Sequence, residues 1–168
     1  MSEQRERRLV SEWRLERYPS AAHILECNIG PLPEDLADTY GQTKAAKMFN
    51  AWRLVVDCVV ILQDRLLLVE GKVFRPRDGV GDLLCYRPLV YLTPELVQYK
   101  GLPIELVLVI PWTNSMVNTL CEVNGIRMEL FSPAWVQDFV VEHGKYWTRE
   151  YLAKRAERNR IRKALGVE

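Results

Sequence analysis

Three residues near the middle of this 168-residue chain combine types and spacing suited to phosphate chemistry: Asp57, Glu70 and Lys72. Glu70-Gly71-Lys72 closes an apolar run that begins after Arg65, and Asp57 interrupts the preceding run, Leu54–Leu62. Residues two apart on a strand point to the same face, so Glu70 and Lys72 share one. If Gln63 and Asp64 form a two-residue turn, Leu62 pairs with Arg65. Asp57 then falls opposite Glu70, with Cβ atoms about 4.5–5.5 Å apart. Two carboxylates so placed repel each other, and partial burial sharpens the repulsion. A divalent cation between them removes that cost. Hard oxygen ligands at this spacing suit Mg2+ or Mn2+, which acidify water and offset charge on a phosphate. Lys72 adds a point-charge donor for the attacking water or a phosphoryl oxygen. The plainer reading makes Glu70 and Lys72 an exposed strand-edge pair, with Asp57 salt-bridged elsewhere. A Glu-x-Lys tripeptide is common by chance. One that ends a buried strand with an Asp opposite it is far more specific.

The elements that must position these residues follow from periodicity and punctuation. Residues 4–17 read as a helix through Leu9 and Trp13, stopped by Tyr18-Pro19. Residues 21–29 read as a strand, and 34–50 as an irregular excursion holding a short helix. Leu54–Leu62 and Arg65–Phe74 are the clearest strands, apolar on both parities as befits strands covered on both faces. Asp78 is placed to cap a helix from Gly79 to Arg87, ended by Pro88. Thr93-Pro94-Glu95 reads as the start of another helix, closed by Gly101. A buried strand at 104–110, a helix at 113–123 and a strand at 126–131 follow, then helices at 133–143 and 148–165. This order predicts an α/β fold with a mixed sheet, hairpin plus parallel strands, flanked by helices. One domain is expected over 1–144, extended by a basic C-terminal helix over 145–168.

Composition narrows the function classes. Apolar residues are 48% and charged residues 27%, as in a globular protein. No apolar run is long enough to span a bilayer, and the charged N-terminus lacks the apolar core of a leader, so a cytoplasmic location and no membrane partner are expected. Cys27, Cys58, Cys85 and Cys121 show no CxxC spacing and read as reduced thiols. His23 and His143 have no ligand-spaced partner, which argues against a zinc protease, a histidine triad or an HNH nuclease. No phosphate-binding GxxxxGK[ST] occurs. The five tryptophans form no stacking stripe and read mostly as core. The net charge of +1 hides an asymmetry: residues 145–168 carry +5 and the remainder −4. Such a segment is either a solvated helix or a contact surface for nucleic acid or a partner.

The run Val56-Asp57-Cys58-Val59-Val60-Ile61, with Asp64-Arg65-Leu66-Leu67-Leu68-Val69-Glu70-Gly71-Lys72-Val73, resembles the PD-(D/E)xK nuclease superfamily, the restriction-endonuclease-like fold. The resemblance covers roughly residues 4–131, and the order helix, three antiparallel strands, helix and further strand agrees with it. It implies a DNA nuclease that hydrolyses phosphodiesters by in-line attack of water. Asp57, Glu70 and the Gly71 carbonyl would bind Mg2+ or Mn2+, and Lys72 would assist the water. Many relatives carry a glutamate on the first helix near the metal. Glu12 is the best placed candidate, and an ordinary exposed helix glutamate describes it equally well. On the helix after the motif, Tyr86 and Arg87 match a pattern that many relatives show, but the position of a Gln in that pattern holds Asp82. Arg75 and Arg77 are further candidates for DNA phosphate contacts, or solvated loop charges. The rival expectation is a phage virion-assembly, head-completion or DNA-packaging protein on the same frame. Its homo-oligomer or virion partner would bind through the C-terminal basic helix, in the host cytoplasm or the virion.

Overall fold

A computed structural model describes residues 2–33, 38–39, 41–50, 53–144 and 149–164. The chain divides into two compact units, Met1–Phe131 and Ser132–Glu168. The boundary expected at 144 thus falls inside the second unit.

The first unit is built on a five-stranded sheet in the order β1-β2-β3-β4-β5. In chain order its elements are α1 (Ser2–Arg17), β1 (Ala22–Ile29), α2 (Gln42–Phe49), β2 (Leu54–Ile61) and β3 (Leu66–Gly71). Then come α3 (Pro76–Tyr86), β4 (Ile104–Ile110), α4 (Ser115–Val123) and β5 (Ile126–Leu130). β1, β2 and β3 pair antiparallel, while β4 and β5 continue in parallel from β3. This is the expected α/β mixed sheet. Every residue of β3 is buried, as is most of β4, which explains why these strands lack polar alternation. One buried cluster gathers Val59, Leu66, Leu68, Leu106 and Leu108 with Val80, Leu83 and Tyr86 of α3. On the opposite face α1 packs on β3, β2 and β4 and buries Leu9, Val10 and Trp13.

α1 can lie this close because of one glycine. A Cβ on Gly71 would stand 2.5 Å from Val10 Cγ2 and 3.0 Å from the Glu6 carbonyl. α3 makes a similar approach on the other face, where a Cβ on Gly79 would stand 2.6 Å from Leu108 Cδ1 and 2.9 Å from Lys72 Cγ. The glycine between Glu70 and Lys72 therefore sets the seat of the first helix.

The expected boundaries need three corrections. β3 stops at Gly71 rather than Phe74, because the chain turns out through Arg75, which is left-handed at φ 57, ψ 55. α3 accordingly starts at Pro76, three residues early. Asp78 lies inside its first turn, its N–H donating to the Arg75 carbonyl, and does not cap. Thr93 does not cap an α-helix either. Arg87–Leu92 and Pro94–Tyr99 are 3-10 segments, and the buried Thr93 hydroxyl accepts from the Gly30 N–H and donates to the Leu89 carbonyl. A distant backbone donor has claimed the side chain that sequence assigns to capping.

The second unit contains α5 (Ala134–Gly144) and α6 (Arg149–Ala164). α6 is the expected basic helix, with Lys154, Arg155, Arg158 and Arg160 exposed. Among the described residues no helix is long and apolar enough to cross a membrane.

The two glycine approaches set a test of the packing. Gly71→Ala overpacks α1 against β3 and should cost about 1–3 kcal/mol. Gly81→Ala in α3 meets nothing within 4 Å and should gain up to about 1 kcal/mol by restricting the unfolded chain. Urea unfolding midpoints measure both, and equal midpoints for the two variants would contradict this packing.

Candidate functional site

The β2–β3 register is the one the turn dictates. Leu62 N–H donates to the Arg65 carbonyl at 3.0 Å, and Ile61↔Leu66, Val60↔Leu67, Val59↔Leu68 and Cys58↔Val69 pair in turn. The next step of that register would set Asp57 against Glu70, but the ladder ends before it. Glu26 of β1, whose position in the β1–β2 register is opposite Asp57, is left-handed at φ 49. Cys27 on β1 belongs to the buried cluster and the partly buried Ile24, three residues away, packs against it, while Val56 and Val59 on β2 are both in it. Alternation has therefore reversed at Glu26 and Asp57, since strict alternation would put residues three apart on opposite faces.

The two carboxylates still meet. Asp57 Oδ2 accepts from the Gly71 N–H at 2.9 Å, and Glu70 Oε2 lies 3.5 Å from the Asp57 N–H. Lys72 Nζ donates to Glu70 Oε1 at 2.8 Å and stands 3.0 Å from Asp82 Oδ2. Its stem passes over Gly79. Together with Glu6, Arg7, Val55 and Tyr86, these four polar residues line a cavity of about 200 Å3. Tyr86, buried in α3, donates its hydroxyl to the Val55 carbonyl at 2.9 Å.

Two carboxylates in the cavity escaped the sequence reading. The α1 glutamate at the site is Glu6, not Glu12. Glu12 pairs with Arg8 at 2.7 Å one helical turn away and does not line the cavity. Helical periodicity separates them: Glu6 lies on the face of Leu9, Val10 and Trp13 that packs on the sheet, and Glu12 lies about a third of a turn away. Asp82, noted as a departure from the resembled pattern, makes the second bond to Lys72. Of the candidate DNA contacts, Tyr86 alone lines this cavity. Arg75 is exposed and lines an adjoining cavity. Arg77 lies 3.4 Å from Asp78, and Arg87 is exposed where α3 ends.

Crowding and burial decide the protonation states. Burial pushes the Glu70 carboxyl up to about 8, helped by the charge of Asp57 and opposed by Lys72. Burial raises Asp57 to about 6 against the Gly71 N–H and the Lys72 charge. Lys72 moves upward too: burial opposes its charge, and Glu70 and Asp82 outweigh burial. The lysine is thus the fixed cation, and any shared proton resides on the acids. Tyr86 is raised by burial and then by Glu70 and Asp82, so its phenol stays a donor. Among the described residues no three His, Cys, Asp or Glu side chains converge as a metal-ligand group.

No family model matches the chain, and no curated protein matches it. Among solved structures it is similar to a protein in the structure of an EndoMS–dsDNA2 complex, at 20% identity and a TM-score of 0.42, over 76% of this chain and 45% of that one. The chain spans less than half the length of that protein. A likeness this shallow carries no functional weight.

The raised carboxylates fix the sign of a pH effect. From about pH 4 up to about 6 at Asp57 and about 8 at Glu70, the folded protein keeps protons that the unfolded chain has already released. Stability therefore declines as pH rises through that window and is lowest above it. Asp57→Asn keeps an oxygen for the Gly71 N–H, removes one charge, and should flatten the decline. Unfolding midpoints from about pH 5 to 8.5 read this directly; a wild-type midpoint that climbs across the range would refute it.

Proposed function

We propose that the chain is a divalent-metal-dependent DNA nuclease of the PD-(D/E)xK superfamily, hydrolysing phosphodiester bonds. The observation that carries this reading is the meeting of Asp57, Glu70 and Lys72 in one cavity, with both acids raised by burial. All the acidic donors there are hard oxygens, which fits Mg2+ or Mn2+. Asp57 and Glu70 would hold the ion, with the Gly71 carbonyl as backbone donor. A bound cation supplies Lewis acidity to the attacking water and the phosphate.

The remaining groups orient the substrate. Lys72 has three N–H donors, and Glu70 and Asp82 take two of them. The third can hold the water or a phosphate oxygen. Asp82 is a positioning residue in this reading, since it fixes the ammonium without touching substrate. Lys154, Arg155, Arg158 and Arg160 of α6 would add sequence-independent phosphate contacts. A second reading, an assembly or packaging component, draws on the double pairing of Lys72, which partly neutralises the cavity from within.

Supercoiled, linear and branched DNA incubated with Mg2+ or Mn2+ discriminates between them. Wild type should cleave at least one form, and Asp57→Ala and Lys72→Ala should each lose roughly 100-fold or more of the rate. Independently of activity, either ion should raise the unfolding temperature of wild type, increasingly with the logarithm of its concentration above the Kd, and barely that of Asp57→Asn. Failure to cleave any DNA, with no shift by either ion, sinks the nuclease reading; stable self-association in that case supports the assembly role.

A further inference from the structure

Outside the carboxylate cavity the chain carries an aromatic pair. Phe74 is 41% exposed and Trp112 39%, and their rings meet edge to face at 6.0 Å. Rings of this size bury well, and two in contact at the surface form a platform rather than scattered apolar exposure. Their positions follow from the topology. β3 and β4 are parallel, with Gly71 beside Val109. Phe74 lies three residues beyond the end of β3 and Trp112 two beyond the end of β4. Both therefore emerge at the carboxyl ends of the central strands, where open α/β sheets bind their ligands.

Phe74 connects the pair to the site. Phe74 lines a cavity of about 450 Å3 with Arg75, Asp78, Glu6 and Lys72, and the last two also line the carboxylate cavity. That volume is within the roughly 300–1,000 Å3 of small-molecule sites. An occupant of the larger cavity can lay a flat apolar face on Phe74, with Trp112 inclined at 62° beside that ring, and present negative charge to Arg75. An unpaired nucleotide has both properties, whereas a base stacked inside a duplex shows only its edges.

We propose that an unpaired nucleobase stacks on Phe74 with its edge against Trp112, in the DNA strand whose phosphate enters the Asp57–Glu70 cavity, Arg75 meeting a neighbouring phosphate. This rests on the nuclease reading and narrows its substrate to DNA with unpaired bases: single strands, flaps, frayed ends or mismatches.

The test is binding without cleavage. A single-stranded oligonucleotide carrying 2-aminopurine is titrated with the protein in EDTA, beside a fully paired duplex of the same sequence. Stacking should quench the probe. Phe74→Ala/Trp112→Ala should abolish the quench and weaken single-strand binding roughly 5- to 100-fold, with the duplex altered less than about twofold. Phe74→Tyr/Trp112→Phe should restore both. Unfolding midpoints confirm that the variants are folded. Unchanged quench and affinity in the alanine variant overturn the proposal, as does equal weakening for both DNAs, which marks a general surface. Metal-dependent cleavage by wild type is scored separately. Cleavage without a quench removes the stacking site alone; a quench without cleavage by any wild-type preparation removes the nuclease reading alone.

Discussion

Between the third strand and the first helix there is room for a hydrogen atom and little more. The absence of a side chain at Gly71 lets α1 rest its Val10 methyl and Glu6 carbonyl directly on β3. Much else follows from that contact. It brings Glu6 and Arg7 to the rim of the carboxylate cavity and closes the face of the sheet that α3 leaves uncovered. The Gly71 N–H also anchors Asp57. A residue whose small size serves packing thus sits between Glu70 and Lys72 and holds Asp57 through its own backbone N–H.

The electrostatics of the cavity are those of a crowded anion set built around one cation. Lys72 satisfies two acids and remains charged, while Asp57 and Glu70 sit far enough from water to hold protons unusually well. In a chain stabilised by a modest margin, such crowding is a standing cost to the fold. Arg7 offsets part of it from the rim, paired to Glu26 at 2.6 Å.

Much of this was legible in the chain. The two-residue turn at Gln63-Asp64 specified the register, and the unbroken apolar parity of β3 announced a strand covered on both sides. What stayed hidden depended on contacts between distant segments. Glu6 was not hidden in this way: it precedes Leu9, Val10 and Trp13 by three, four and seven residues and so shares their buried face. Asp82 looked like a departure because its partner, Lys72, comes from another element. Thr93 was drawn off its helix by the Gly30 N–H, and Arg75 took a left-handed conformation usually left to glycine. The local reversal at Glu26 and Asp57 had no sequence signal, because valines flank Asp57 on both parities.

That reversal has a consequence for how the acid is inherited. Treated as a wave, the inward and outward facing of β1 and β2 slips by half a period at Glu26 and Asp57. Val56 and Val59 on β2 and Cys27 and Ile24 on β1 keep their places in or against the buried cluster only while the slip stays where it is. Sliding it one position would turn a buried aliphatic outward and a neighbour inward. The core on both sides thus pins the carboxylate to a single address in the chain. Substitution can erase the acid there, but drift along the strand cannot relocate it.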